Sequence, residues 1–267
     1  MLLGAAPFLI GIVRENWTAV NLASGSIKRE KGSIGGASVS QGMILDARDS
    51  QVLFSSQEPG SRNIWSYSYK TKRLSLIRKT APRELVGACF DPAGRPIVTW
   101  LSSPQRQLII SDGLKKYKLV QLPNDVGGKI DIDADKQLIA IVCHARTRDL
   151  KFLVARGSGK LILKATGSMA LCFNHPSLSV RLEGQAVKFE SGVLKGMEIK
   201  TDAGRTVTRL SINAAQRSLA IWSSDGGFKD WKIGIYDLAT GRKVRDISAS
   251  VVRSGFFTRL SDGHDAG

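Results

Sequence analysis

The sequence lacks the features of membrane proteins and of disulfide-rich secreted proteins. No run approaches the roughly 20 apolar residues of a membrane-spanning helix. The chain has only three cysteines, Cys89, Cys143 and Cys172, without metal-like spacing, and each lies in an apolar stretch. They are therefore predicted to be reduced core residues of a cytoplasmic protein. Removal of an upstream leader would make the protein periplasmic instead.

Sequence signatures of catalysis are also missing. The chain has no HExxH motif, no CxxC pair and no Gly-x-Ser-x-Gly nucleophile elbow. Residues 156–161 (RGSGKL) are similar to a phosphate-binding loop, but Leu161 replaces the Ser or Thr that would hold magnesium, so we interpret them as a hairpin turn. His144, His175 and His264 are isolated in sequence, and a metal or base role needs partners from elsewhere. We expect no enzyme activity, no metal and no cofactor.

Acidic residues are few relative to basic ones. The chain has 39 Lys and Arg against 23 Asp and Glu, which gives a formal net charge of +16. Such an excess favours anionic partners, namely nucleic acid, an acidic protein surface or anionic lipid. The other explanation is solubility and the protection of exposed sheet edges.

A β-hairpin is the unit that the sequence repeats. Residues 231–248 (WKIGIYDLATGRKVRDIS) contain an apolar strand, the turn Ala239-Thr240-Gly241 and a more charged strand. One such hairpin is only marginally stable in water and must bury a face against similar units. Degenerate copies occur at residues 17–25, 65–76, 108–120, 152–163 and 187–199.

A second element also repeats, in which a strand ends at Asp or Asn and a short turn leads to another apolar strand. It contains Asp46, Asp91, Asp133, Asn174 and Asn213, which follow one another at intervals of 39 to 45 residues. Four short strands in a repeat of this length are typical of propeller blades. We interpret the Asp and Asn side chains as turn caps.

The two ends of the chain are predicted to complete one blade. Residues 256–260 have the pattern of a first strand, and residues 8–13 have the pattern of a second strand. We therefore predict an all-β protein with a single domain, 1–267, that forms a six-bladed β-propeller of four-stranded antiparallel blades. The N- and C-terminal strands share one blade and close the ring. The predicted blades are 255–267 with 1–33, then about 38–80, 84–123, 128–166, 168–205 and 206–250.

Two segments resemble known propeller repeats. Residues 90–97 (FDPAGRPI) resemble the "SPDG, then strand" segment of TolB-like or WD40-like β-propeller repeats, and residues 235–241 (IYDLATG) resemble their "YDLATG" segment. The resemblance implies a binding platform whose loops and central channel contact the partner. The paired GH and WD signature of true WD40 repeats is missing, so the specific role of that family is not implied.

The basic residues fall into two groups. Many, such as Lys72 and Lys116, accompany the last strand of a hairpin, which forms the outer edge of a blade, where lysine discourages association between edges. The second group lies on the loops that join strand b to strand c, which gather on one face of the disc. Its members are Arg14, Arg62, Arg106, Arg146, Arg148 and Lys229. Arginines on rigidly held loops suit an acidic peptide or a phosphate group, and ordinary solvated loops are the other interpretation.

These patterns predict a non-enzymatic interaction platform that binds a partner protein or an acidic ligand through the basic loop face. We expect a monomeric propeller within a complex. The alternative is a polyanion-binding propeller that uses the same loops on RNA or DNA, although aromatic residues that stack on bases are sparse there. A third hypothesis is a lactonase- or dehydrogenase-type propeller enzyme with a site in the central channel.

Overall fold

The structure is a computed structural model with β-strands throughout the part of the chain that it describes. The described residues are 8–13, 16–21, 27–31, 33–34, 37–38, 43–48, 51–58, 61–68, 71–81, 84–113, 115–146, 148–173, 177–178, 180–191, 194–213, 217–225 and 231–248. Within these ranges there is no helix long and apolar enough to cross a membrane.

Twenty-six strands lie in the described ranges, and most are five to nine residues long. In chain order they are β1 (Phe8–Val13), β2 (Asn16–Asn21), β3 (Ile27–Lys31), β4 (Ser33–Ile34), β5 (Ala37–Ser38), β6 (Met43–Arg48), β7 (Gln51–Glu58), β8 (Ser61–Ser68), β9 (Arg73–Thr80), β10 (Val86–Phe90), β11 (Pro96–Ser102), β12 (Gln107–Asp112), β13 (Lys115–Gln121), β14 (Val126–Ala134), β15 (Leu138–Ala145), β16 (Asp149–Ala155), β17 (Leu161–Gly167), β18 (Met169–Ala170), β19 (Cys172–Phe173), β20 (Val180–Glu183), β21 (Ala186–Phe189), β22 (Glu198–Lys200), β23 (Arg205–Asn213), β24 (Ser218–Asp225), β25 (Trp231–Asp237) and β26 (Lys243–Ser248).

The strands form antiparallel sheets in which neighbours follow chain order. We name these sheets blade I (β6 to β9), blade II (β10 to β13), blade III (β14 to β17), blade IV (β18 with β20 to β22) and blade V (β23 to β26). In each blade the strands are a, b, c and d from first to last. The short strand β19 leaves blade IV and pairs in parallel with β23 of blade V. This pairing joins the innermost strands of two adjacent blades.

The prediction of an all-β propeller with four-stranded antiparallel blades is confirmed, but the described residues form five such blades and not the predicted six. The remaining large sheet, β1-β2-β3, has three strands. The strand predicted to complete it, residues 256–260, lies outside the described residues. Closure of the ring by the two termini therefore stays a prediction.

The hydrophobic core lies between adjacent blades. All five residues of strand β10 are buried, because one face of this strand packs on blade I and the other on blade III. Cys89 and Ile97 of blade II pack with Ile130, Ile132 and Phe152 of blade III. Strand alternation thus gives each inner strand two apolar faces, as expected for a sheet that is covered on both sides.

The fourth strand of each blade is its outer edge and is the most exposed. Strand β13 exposes Lys116 and Lys118, and strand β17 exposes Ile162 and Leu163. The lysines expected at the outer edge of the blades are therefore found there in blade II. Positive charge on an unpaired strand edge disfavours pairing with another chain.

The cysteine prediction is confirmed for Cys89 and Cys143, which are buried thiols. Burial raises the pKa of Cys143 to about 12, and the negative charges of Asp131 and Asp149 act in the same direction. Such a thiol is almost wholly protonated near neutral pH and reacts slowly. The side chain of Cys172 lies outside the description.

Gly87 lies at a close approach between the inner strands of blades II and III. A Cβ atom at this position would lie 2.8 Å from the carbonyl oxygen of Ile130 and 3.3 Å from the Cγ2 atoms of Ile130 and Ile132. Because the nearest atom belongs to the backbone of β14, the strands would have to separate to admit a methyl group.

We expect the substitution Gly87→Ala to lower the free energy of unfolding by about 1 to 3 kcal/mol, since it overpacks this contact. The melting temperature should fall by about 2 to 12 °C in thermal denaturation, since a protein of this size loses about 2 to 4 °C for each kcal/mol. The matched control is Gly127→Ala on the same β14, where an added Cβ meets nothing within 4 Å. If Gly87→Ala and Gly127→Ala had the same melting temperature, the close packing at Gly87 would be contradicted.

Candidate functional site

The strand order places alternate connections at opposite ends of each blade. Strands a to d are antiparallel neighbours, so the a-to-b and c-to-d turns share one end, which we call the a–b face. The b-to-c turns and the links to the next blade share the other end, the b–c face. Charged groups gather at both ends of the boundary between blades II and III.

Three of the six predicted site residues can be placed on the b–c face. Arg106 ends the b-to-c turn of blade II, whereas Arg146 and Arg148 belong to that of blade III and are exposed. Arg62 has its backbone in β8, on the strand that follows the b-to-c turn of blade I, and its side chain is outside the description. Arg14 and Lys229 lie outside the described residues.

Arg106 joins the b-to-c turn of blade II to the link that enters blade III. Its residue has φ +53°, and its Nη2 donates hydrogen bonds to the carbonyl oxygens of Pro123, at 2.8 Å, and Val126, at 2.5 Å. Carbonyl oxygens carry no net charge, so these bonds fix the guanidinium without neutralising it. Val126 is the Cα partner of Ala145, which directly precedes Arg146. The structure thus brings Arg106 beside the b-to-c turn of blade III.

His144 lies between two carboxylates at the same end of blade III. Its Nε2 is 2.9 Å from Oδ2 of Asp131, and its Nδ1 is 3.1 Å from Oδ1 of Asp149. Burial lowers the pKa of His144, but the hydrogen bonds and negative charges of Asp131 and Asp149 outweigh this effect and raise the pKa to about 9. The imidazole is therefore protonated near neutral pH, and both of its nitrogens donate.

A protonated imidazole is neither a metal ligand nor a general base. The described ranges also contain no group of three or more His, Cys, Asp and Glu side chains arranged to hold a metal ion. Both carboxylate partners of His144 come from its own blade. His175 and His264 lie outside the described residues.

These groups form a basic patch, which we define as Arg106, Lys129, His144, Arg146 and Arg148. Lys129 belongs to it because its Nζ lies 2.5 Å from Oδ1 of Asp131. Asp131, Asp149 and Asp125 are the carboxylates in the same segments, so the five cationic groups leave a net positive charge. The exposed Arg146 and Arg148 carry that charge at the surface.

A cleft of about 720 Å³ lies at the opposite end of the same boundary, on the a–b face. Blade II contributes its a-to-b turn and its c-to-d hairpin, and blade III contributes the corresponding turns. The charged and aromatic residues that line the cleft are Asp91, Arg95, Asp112, Lys115, Tyr117, Lys136 and Arg156.

Arg156 ties the two blades together in this cleft. It stands at the start of the c-to-d turn of blade III, and its Nη2 lies 2.9 Å from Oδ2 of Asp91 and from Oδ1 of Asp112. Its Nε is 2.9 Å from Oδ2 of Asp112, and its Nη1 donates to the carbonyl oxygen of Asp135 at 2.8 Å. The forked guanidinium therefore bridges two turns of blade II and one of blade III.

The predicted turn-capping role is confirmed at Asp91. Its Oδ1 accepts hydrogen bonds from the backbone nitrogens of Ala93, at 2.9 Å, and Arg95, at 2.8 Å. Burial raises the pKa of Asp91, but hydrogen bonds from Arg95 and Arg156 outweigh it and hold the pKa below its ordinary value. The equivalent Asp46 accepts from the backbone nitrogen of Phe90 at 2.6 Å, so it reaches into the next blade.

The turn at residues 156–161 was predicted from the sequence, whereas the ion pairs of Arg156 were not. The turn is confirmed by the bonds from Ala155 N to Lys160 O and from Gly159 N to Ala155 O, both 2.9 Å long. One sequence pattern could have predicted the ion pair with Asp112. Arg156 stands at the start of the c-to-d turn of blade III, and Asp112 stands at the start of the c-to-d turn of blade II. Such residues lie side by side once adjacent blades are stacked.

Comparison with known proteins supports the fold. No family model and no curated protein matches the sequence. A chain of the nidogen/laminin complex matches with a TM-score of 0.62 and 10% identity, over 96% of this chain and 97% of that one. Dihydro-heme d1 dehydrogenase NirN matches with a TM-score of 0.52 and 10% identity, over 91% and 73%. TolB from Acinetobacter baumannii matches with a TM-score of 0.47 and 12% identity, over 89% and 52%.

Identities this low show a likeness of fold alone. The matches to the nidogen/laminin chain and to NirN confirm the β-propeller architecture that the TolB-like and WD40-like segments led us to expect. One of these chains is part of a protein complex and another is a dehydrogenase, so the fold does not select between binding and catalysis.

The charge on His144 has a testable consequence for stability. Because its folded pKa of about 9 lies above the ordinary value of 6.5, its ion pairs stabilise the native state fully below about pH 6.5. This stabilisation is lost as the pH rises through about 9. The side chain is 30% exposed, so solvent screens part of this interaction. We expect His144→Gln to lower the free energy of unfolding by on the order of 1 to 2 kcal/mol at pH 6 and by little at pH 9.5.

Thermal denaturation of both proteins between pH 6 and pH 9.5 measures this difference. The control is Lys118→Gln, which removes a positive charge from the exposed outer strand of blade II. Its difference from wild type should change little across the range. A His144→Gln protein whose deficit is the same at both ends of the range would show that the imidazole does not gain a proton on folding.

Proposed function

We propose that the protein is a non-enzymatic interaction platform and that its basic patch binds an acidic segment of a partner protein. The observation that supports this most directly is the juxtaposition of Arg106, Arg146 and Arg148 beside a protonated His144. The proposed binding surface is on the b–c face, as predicted from the sequence, and it lies at blades II and III.

Two features of the patch suit recognition of carboxylates. Arg106 is held by two backbone carbonyls, so little conformational entropy is lost when its charge meets a ligand. Arg146 and Arg148 are exposed and project from a short turn on a rigid sheet. Each arginine paired with a carboxylate contributes about 1.5 to 3 kcal/mol, whereas a screened surface lysine contributes less than about 1.

Nucleic acid is the second candidate, and features of the patch weigh against it. The turn 146–148 offers no aromatic ring for base stacking. Asp131 and Asp149 interrupt the positive surface of the patch, although both are paired with His144. A short acidic peptide can place its carboxylates at the exposed arginines and avoid the two aspartates. A general-base role of His144 is disfavoured near neutral pH because its pKa of about 9 keeps it protonated.

The proposal extends to the assembly as a whole. We propose a six-bladed ring in which residues 256–260 complete the sheet β1-β2-β3, as the repeat length and the half-blade at each end indicate. A single ring of this kind would act as a monomeric component of a complex. The buried thiols Cys89 and Cys143 support a cytoplasmic location.

The experiment compares two double variants that remove the same charge. Arg146→Ser with Arg148→Ser changes the basic patch, and Lys116→Ser with Lys118→Ser changes the exposed outer strand of blade II. The probes are a fluorescent dodecaglutamate peptide and a single-stranded DNA dodecamer, followed by fluorescence anisotropy at 150 mM salt. The melting temperature of each variant checks that it is folded.

We expect the arginine variant to bind the peptide at least tenfold more weakly, which corresponds to about 1.4 kcal/mol. The lysine variant should differ from wild type by less than about twofold, because an exposed lysine is screened by water and salt. If the lysine variant loses the peptide and the arginine variant keeps it, the binding surface is the outer rim. DNA bound more tightly than the peptide, with steep salt dependence, would favour the polyanion-binding alternative.

A further inference from the structure

The cleft on the a–b face is a second site, at the opposite end of blades II and III from the basic patch. Its volume of about 720 Å³ is in the range of small-molecule pockets. Its walls are turns of two blades whose backbones are fixed by capping bonds at Asp91 and by the bridge from Arg156. A concave surface between rigid elements is a common place for a small ligand to bind.

The floor of the cleft is electrically balanced. Arg156 pairs with both Asp91 and Asp112, and Arg95 also pairs with Asp91, through its Nη2 at 2.8 Å. The two carboxylates are therefore held by guanidinium groups of the protein and do not repel an anion as isolated charges would.

The rim of the cleft has an excess of positive charge. Lys115 and Lys136 are both exposed, and the side chain of Arg95 remains 68% exposed although it contacts Asp91. The Nζ of Lys115 lies 3.2 Å from the carbonyl oxygen of Gly157, which directs this ammonium across the boundary towards blade III. Lys136 stands in the a-to-b turn of blade III, so the two lysines approach the cleft from different blades.

Tyr117 also lines the cleft. Its ring packs on Gly159, where an added Cβ would lie 2.2 Å from the tyrosine Cδ1. The hydroxyl is buried and has no hydrogen-bond partner among the described residues. A buried hydroxyl without a partner costs about 1 to 3 kcal/mol, and a group that bonds to it removes this cost.

We propose that this cleft binds a small organic polyanion, whose phosphate or carboxylate groups lie between Lys115 and Lys136 and accept a hydrogen bond from Tyr117. The two lysines supply the net charge, and the tyrosine hydroxyl is an uncharged donor without a partner among the described residues. A small anion fits this site better than a protein segment because the cationic groups line a concave cleft and not a projecting loop. The site goes beyond the proposed function and does not depend on it.

The test uses isothermal titration calorimetry of the full chain with pyrophosphate and, separately, citrate at 150 mM salt. The two probes distinguish phosphate from carboxylate as the preferred anionic group. The main variant is Lys115→Ser with Lys136→Ser. The matched control is Lys118→Ser with Lys164→Ser, which removes the same charge from exposed positions on the outer strands of blades II and III.

We expect wild type to bind at least one probe with a dissociation constant below about 1 mM and the main variant to bind it at least tenfold more weakly. The control and the variant Arg146→Ser with Arg148→Ser should bind within about twofold of wild type. Tyr117→Phe should weaken binding about three- to tenfold without lowering the melting temperature, because the hydroxyl it removes forms no bond within the described protein.

Several outcomes would overturn the site. They are no binding of either probe at 10 mM, equal binding by wild type and the main variant, or an equal loss in the control, which would indicate a response to overall charge. Unchanged affinity in Tyr117→Phe would also contradict the proposed contact. Failure of the acidic peptide to bind the basic patch would leave this result untouched, since the two sites share no residue.

Discussion

Packing between neighbouring inner strands is the constraint on which the rest of the structure depends. A single four-stranded blade has two apolar faces and covers neither by itself, so each blade is stable only between its neighbours. The clearest case is β10, which is buried along its whole length between blade I and blade III. Only glycine at position 87 allows the backbone of β14 to come this close. Every loop is therefore positioned by contacts that its own blade does not contain.

Polar contacts across the blade boundaries fix the orientation of each blade relative to the next. Apolar contacts alone are not directional and would fix it less firmly. Asp46 accepts a hydrogen bond from the backbone of Phe90, and Arg156 joins its own blade to Asp91 and Asp112 of the preceding one. Lys151 is buried at the next boundary, where its Nζ donates to the carbonyl oxygen of Leu178 at 2.7 Å. Buried charged groups depend on fixed partners, so these bonds oppose rotation of one blade against the next.

The parts of the fold that the sequence could predict are those with local causes. The c-to-d turn at Asp237 is capped by its own carboxylate, which accepts from the backbone of Ala239 and Thr240 within three residues. Alternation of apolar and polar residues is equally local, and it was enough to assign strands a to d in the described blades. The three-stranded sheet β1-β2-β3 shows the limit, since its completion by residues 256–260, which are distant in sequence, stays a prediction.

The candidate sites depend on contacts between residues that are distant in sequence, so their geometry could not be derived from local patterns. Arg106 was predicted only as a basic residue of a b-to-c loop, and its guanidinium is held by carbonyls 17 and 20 residues away. Arg156 was interpreted as part of a turn, and its partners lie 44 and 65 residues away. Neither contact has a signature in the surrounding residues. Both become visible only when blades II and III are stacked.

The large positive charge of the chain therefore has more than one physical role. Lys116 and Lys118 lie on an outer strand, where charge keeps an exposed edge from pairing. Arg156 is held between two carboxylates and contributes to packing, not to the surface field. Edge protection does not explain Lys136, which lines a concave cleft from a turn, or Arg146 and Arg148, which belong to a turn on the opposite face. Lys115 begins the outer strand β13 and also lines the cleft, so it can serve both roles. Cationic groups without a carboxylate partner at such concave or turn positions are the ones available to an anionic partner.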